Sequence, residues 1–157
     1  MDSVKAVAMH REDHLELLQQ AADLGDPKAQ FCLSTLYHTG DGVQQDSVRA
    51  AELLQQAAAQ GVVEAQCTLG QFYQLGIGVE QDSFLAVALY QQAADHGDVV
   101  AQCSLGIAYQ DGNGVQQDSE RAAALLILAA DQGHAEAQYC LGLLYQDGAV
   151  ESSAAAE

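Results

Sequence analysis

The residues able to do chemistry in this chain are four cysteines, five histidines and one acidic, glycine-rich loop. Cys32, Cys67, Cys103 and Cys140 are spread through the sequence without a C-x₂-C pair, so their spacing offers no clustered zinc ligands. Cys67 and Cys103 stand 36 residues apart, which is also the step at which the chain copies itself. Equivalent positions on neighbouring helices are about 8–10 Å apart, whereas a disulfide needs Cα atoms within about 7 Å. Reduced thiols, buried or half-buried, are the expectation. His10 and His14 share an i, i+4 spacing that could place two ligands on one helix face, yet no third ligand accompanies them. No metal is expected there. His38 and His96 fall where helices should end, a place that suits a cation beside the carbonyl end of a helix. His134 instead falls at a helix start and is expected to be exposed. The loop Asp111-Gly112-Asn113-Gly114 begins like a calcium loop but continues with Val115, and its copy Leu75-Gly76-Ile77-Gly78 carries no ligand. It is a turn. No nucleophile–base–acid set and no phosphate loop is apparent. The chain is therefore not expected to be an enzyme or to hold a cofactor.

The elements that would position these residues are set by an internal repeat. Ala29-Gln30 returns as Ala65-Gln66, Ala101-Gln102 and Ala137-Gln138; Leu33, Tyr37 and Gly40 each return three times at the same step. Asp46, Ala57-Ala58 and Gly61 each return twice. A constant step over successive copies is the mark of stacked supersecondary units. Each unit reads as two helices. In helix A, Ala29, Leu33, Leu36 and Tyr37 form one stripe of a 3.6-residue period. Asp26 and Pro27 open it and Gly40 closes it. Helix B starts on Asp46, carries Ala50, Leu53, Leu54, Ala57 and Ala58 on one stripe, and ends at Gly61. The recurring Gly70, Gly106 and Gly142 inside helix A imply close helix contact, because such a glycine costs about 1 kcal/mol against alanine.

Counted along the chain, residues 1–10 are an N-terminal extension and residues 11–25 match helix B alone. Full pairs span 26–61, 62–97 and 98–133, a last helix A spans 134–148, and 149–157 is a tail expected to be frayed. The fold class is all-α, an array of about three and a half helix pairs. The last helix A has no helix B of its own, so its apolar edge is a candidate homodimer contact.

Composition narrows the function further. The chain has 22 acidic and 5 basic residues, a net charge of −17. Nucleic-acid affinity comes largely from Lys and Arg on phosphates, so neither nucleic acid nor an anionic membrane is an expected partner. No apolar run nears the ~20 residues of a membrane-spanning helix. The first residues lack a basic segment followed by an apolar stretch, which makes the cytoplasm the expected location, with a secreted or periplasmic mature form left open.

The segment AQCSLGIAYQDGNGVQQDSERAAALLILAADQGH, Ala101 to His134, resembles the Sel1-like repeat, a relative of the tetratricopeptide repeat with a longer period and a Gly-x-Gly-Val loop. The resemblance covers nearly all of residues 11–148. It departs from the family where Gln44, Glu80 and Gln116 replace the usual proline after Gly-Val. The two-cysteine repeats of one family branch are also missing. The resemblance implies an α/α superhelix whose helices A line a concave groove. It also implies an adaptor or scaffold function, with many members bacterial. A branch linked to β-lactam binding or hydrolysis supplies the alternative, enzymatic reading.

By analogy with tetratricopeptide grooves, the resemblance assigns four rows to the concave face. They are Lys28, Phe31, Thr35 and His38; Glu64, Cys67, Gln71 and Gln74; Val100, Cys103, Ile107 and Gln110; and Glu136, Tyr139, Leu143 and Gln146. These positions vary between copies while the packing positions do not. Packing roles must repeat; recognition roles need not. The expected partner is a protein or peptide, neutral or basic. Lys28 stands alone among these rows, so no clamp for a C-terminal carboxylate is expected.

Overall fold

The computed structural model describes the backbone of residues 3–148 and the side chains of residues 13–148. It is all-α, with eight helices among the described residues: α1 Ser3–Asp23, α2 Pro27–Thr39, α3 Ser47–Ala59, α4 Val63–Leu75, α5 Ser83–Asp95, α6 Val99–Asp111, α7 Ser119–Asp131 and α8 Ala135–Gln146. Helices α2, α4, α6 and α8 are the helices A; α3, α5 and α7 are the helices B. Helix α1 starts at Ser3, upstream of the half-repeat; no Gly or Pro interrupts the chain there. The tail from Ala149 and the side chain of His10 lie outside the described residues.

The start and stop signals work as the residue types require. Asp26 Oδ1 accepts a hydrogen bond from Ala29 N at 2.7 Å, and Asp46, Asp82, Asp98 and Asp118 cap their helices in the same way. Each satisfies an N–H that the first helical turn leaves without a partner. Helix α4 is the exception: Val62 occupies the cap position and supplies no side-chain bond. At the other end Gly40, Gly76 and Gly112 hold φ of 75°, 70° and 68°, the left-handed conformation that a Cβ disfavours.

The chain forms two compact units, Met1–Gln81 and Asp82–Glu157. In the first, α1 packs on α2, α2 on α3, and α3 on α4. One cluster of its core is Ala22, Ala29, Leu33 and Leu53, with Leu15, Leu18, Leu36 and Tyr37 packed against them. In the second, α5 packs on α6, α6 on α7, α7 on α8, and α6 also touches α8. Tyr90, Leu105 and Leu126 are fully buried there among Ala101, Ala122, Ala129 and Ala137. Removing a leucine or tyrosine side chain from water contributes about 1.5–3 kcal/mol, and the interleaved alanines let the helices come close enough to do it.

Two local devices join the hairpins within each unit. The glutamine of the Ala-Gln pair is a clasp: Gln30, Gln66 and Gln138 donate Nε2–H bonds of 3.3 Å to the carbonyls of Ala22, Ala58 and Ala130, near the end of the preceding helix B. Gln30 Oε1 in turn accepts from Gln60, and Gln102 Oε1 accepts from Gln132. Gln30, Gln66 and Gln102 are buried and Gln138 is exposed. The bonds spare the buried amides the penalty of an unpaired group, except at Gln66 Oε1, which has no hydrogen-bond partner. The second device is the later glycine of the loop. A Cβ on Gly78 would stand 2.0 Å from the carbonyl oxygen of Ser47, and one on Gly114 2.2 Å from that of Ser83. The loop of one hairpin thus lies directly on the first turn of the helix B before it.

Candidate functional site

The rows assigned to the groove do not share one environment. On α2, Lys28 and Thr35 are exposed, and Phe31 and His38 are half-buried. The His38 ring meets Phe72 with centroids 5.0 Å apart and planes tilted by 53°. On α4, Glu64 is exposed, Gln71 and Gln74 are half-buried, and Cys67 is buried. In the second unit Val100 is exposed, Ile107 and Gln110 are half-buried, and Cys103 is 1 % exposed. On α8, Glu136 and Gln146 are exposed, Leu143 is half-buried, and Tyr139 is 67 % exposed.

Cys67 and Cys103 are therefore corrected from groove-facing to interior residues. Cys103 is covered because the start of α8 comes down on its helix face, as the neighbouring His134 and Glu136 show. The same helix position is open at Tyr139, which has no further helix A among the described residues. Exposure along this row therefore differs from copy to copy, and at Cys103 it is set by α8, which a single helix cannot reveal. Burial also governs the thiol chemistry: desolvation first, then the nearby Glu136 carboxylate and Cys140, pushes Cys103 up to about 12. Cys140 is raised as well, by desolvation first and then by Glu136. Cys32 differs from the expectation of a buried or half-buried thiol, since it is exposed.

His134 also departs from its expected exposed place. It is half-buried, occupies the cap position of α8, and its Nδ1 accepts from Ala137 N at 3.3 Å. Its ring, the Cys103 thiol and the Glu136 carboxylate place one ligand atom each within 4.8 Å of one another. Spacing could not show this cluster, because its members come from two successive helices A with the whole of α7 between them. The available signal was a histidine where the matching position twice holds a capping aspartate, Asp26 and Asp98. His14 is exposed, and its partner His10 falls outside the described side chains.

The loop after α6 is a turn, with Gly112 and Gly114 both at positive φ. Beside it, Tyr109, Val115, Gln116, Gln117, Asp118 and Arg121 line an open depression of about 280 Å³. Arg121 lies over the Tyr109 ring at 5.6 Å, donates to its hydroxyl at 3.3 Å, and pairs with Asp118. Those contacts hold the loop against α6 and α7 and bring no nucleophile beside a base.

Hairpins of this geometry have counterparts among known proteins. The Sel1 repeat model matches residues 15–26, 27–62, 63–98, 99–134 and 135–155. The chain belongs to the Sel1 repeat family. Among solved structures, it is similar to a protective antigen of uropathogenic Escherichia coli with an SLR fold. The two are 39% identical with a TM-score of 0.81, over 85% of this chain and 29% of that one. It is similar also to a Sel1 repeat protein from Oxalobacter formigenes, at 35% identity and a TM-score of 0.78, over 83% of this chain and 54% of that one. The Sel1 chain thus spans under a third of the first relative and about half of the second. Cysteine rich protein B of Helicobacter pylori, at 20% identity and a TM-score of 0.64, over 86% of this chain and 97% of that one, shares the fold. No curated protein gives a significant match. The all-α solenoid class expected from the sequence is thereby established. Among the described residues no helix is long and apolar enough to cross a membrane.

Proposed function

We propose that this Sel1-repeat chain is a protein-interaction module that seats a peptide segment or a folded partner on its helix-A faces. The observation that carries the reading is the split between repeated and varied positions. Leu33, Leu69 and Leu105, one per hairpin, are buried, at 0%, 4% and 0% exposure. Their last copy, Leu141, is half-buried; by contrast, Lys28, Glu64, Val100 and Glu136 share one exposed position and differ in charge and polarity. Tyr139, together with the half-buried Phe31, Ile107 and Leu143, supplies apolar anchors of the kind that dominate interface energetics. Exposed aromatic and aliphatic groups gathered on helix faces are a feature of interaction sites. Glu64 and Glu136, within a chain of net charge −17, favour a neutral or basic partner. The same charge disfavours nucleic acid.

The test is affinity capture with the wild type beside Phe31→Ala and Tyr139→Ala, at equal helical content by circular dichroism. A partner retained by the wild type and lost from one variant supports the reading. Identical partners on all three folded proteins would overturn it. Light scattering over a concentration series covers self-association through α8, whose outward Tyr139 makes a second copy the competing occupant. A dimer dispersed by Tyr139→Ala would replace the proposal.

A further inference from the structure

We propose that Cys103, His134 and Glu136 form a binding site for a thiophilic divalent cation of the zinc type. The three donors are a thiol from α6, an imidazole at the cap of α8 and a carboxylate in the first turn of α8, with ligand atoms within 4.8 Å of one another. Sulfur, nitrogen and oxygen bound to one tetrahedral zinc are about 3.3–3.6 Å apart, from the usual bond lengths. Closing the triangle thus takes side-chain shifts of roughly an ångström. Glu136 is exposed and His134 half-buried, so both can move, while Cys103 is fixed in the interior and gives the site its dry wall. The exposed side leaves the fourth position to water, the open arrangement of a site with three protein ligands.

The repeat supplies an internal comparison. One step back, Cys103, His134 and Glu136 become Cys67, Asp98 and Val100; two steps back they become Phe31, Val62 and Glu64. A role in packing would recur with the step. The complete donor set occurs once. Histidine is also an uncommon cap beside Asp, Asn, Ser and Thr, and here its Nδ1 lone pair reaches Ala137 N at a long 3.3 Å. Coordination through Nε2 would put the ring proton on Nδ1 and end that bond. Coordination through Nδ1 would take the same lone pair, so either route exchanges a weak cap for a metal bond. On binding, the thiol releases its proton to solvent and sulfur becomes a thiolate. Thiolate and carboxylate together then neutralise the dication.

Cobalt(II) titration of the full chain tests the site, with zinc(II) as competitor. The expected result is one cobalt per chain, a thiolate-to-cobalt charge-transfer band and the strong visible bands of four-coordinate cobalt, all removed by zinc. Cys103→Ala should abolish the charge-transfer band. His134→Asn, which keeps a capping side chain, and Glu136→Gln, at an exposed position, should each weaken binding by at least about tenfold. Both variants preserve the helix ends, so a loss in them does not trace to unfolding. Cys32→Ala and Cys67→Ala should bind as the wild type does. The proposal fails if the wild type shows no charge-transfer band. It fails equally if the band survives both His134→Asn and Glu136→Gln, or if it disappears in Cys32→Ala.

Discussion

Replacing Gly114 with alanine should weaken the chain far more than the same change at Gly42, although both glycines sit at the same place in their loops. Their backbones are alike, with φ of 71° and 76°. The left-handed conformation costs an alanine about 1–2 kcal/mol at either site. Part of that is offset in both by the less flexible unfolded chain, about 0.4–1 kcal/mol. The surroundings differ. At Gly42 a Cβ meets nothing within 4 Å, whereas at Gly114 it would lie 2.2 Å from Ser83 O, 2.5 Å from Ser83 C and 2.9 Å from Ser83 Cβ. The backbone carbonyl cannot rotate away as a flexible side chain would, so the loop must lift from the start of α5 by more than an ångström. Overpacking of this kind costs about 1–3 kcal/mol. Gly114→Ala should therefore lose about 1–3 kcal/mol more than Gly42→Ala. In urea unfolding followed by circular dichroism this is a midpoint about 0.5–1.5 M lower, at a slope of ~2 kcal/mol per molar. Gly78→Ala, whose Cβ would stand 2.0 Å from Ser47 O, should behave like Gly114→Ala. Equal midpoints for Gly42→Ala and Gly114→Ala would refute the account of how the loops seat.

Two further outcomes rest on the same physics of caps and burial. Val62 has φ −70° and ψ 109°, close to the −64° and 116° of the capping Asp26, but gives α4 no side-chain bond. Val62→Asp should therefore add a cap worth about 1 kcal/mol, seen as a rise in Tm; a fall would show that the Val62 side chain matters more for packing. Toward a thiol-alkylating reagent at mildly alkaline pH, the exposed Cys32 should react first and the half-buried Cys140 later. Cys103, buried and pushed up to about 12, has little thiolate below that pH and should react only on unfolding. Mass mapping of the labelled cysteines reads the order, and early labelling of Cys103 would contradict its burial.

The helices and their stripes were legible in the sequence because packing demands the same residue at every step. Asp26, Asp46, Gly40 and Leu33 each announce a role that the structure then assigns to them. Exposure was less legible, since it depends on neighbours from elsewhere in the chain, as α8 covers Cys103. Phe31, Cys67, Cys103 and Tyr139 share one position, yet they run from buried to 67 % exposed. Gly142 is similar. Gly106 faces Leu126, where a Cβ would meet its Cγ at 2.9 Å, while Gly142 has nothing within 4 Å among the described residues. The repeat marks both for close helix contact, but only the first has a helix B against it. The donor cluster was hidden for a third reason. Cys103 meets His134 and Glu136 only when a hairpin folds back, and the spacing of the ligands along the chain is that of no familiar metal motif.

The glutamine clasps have a consequence for how the molecule assembles. Gln30 reaches Ala22, Gln66 reaches Ala58 and Gln138 reaches Ala130, each across eight residues. Contacts this near in sequence require only small loops to close, and chains rich in them fold quickly. Where a junction is secured by its own short-range bond, nucleation has no obligatory starting point and can spread from any helix pair to the next.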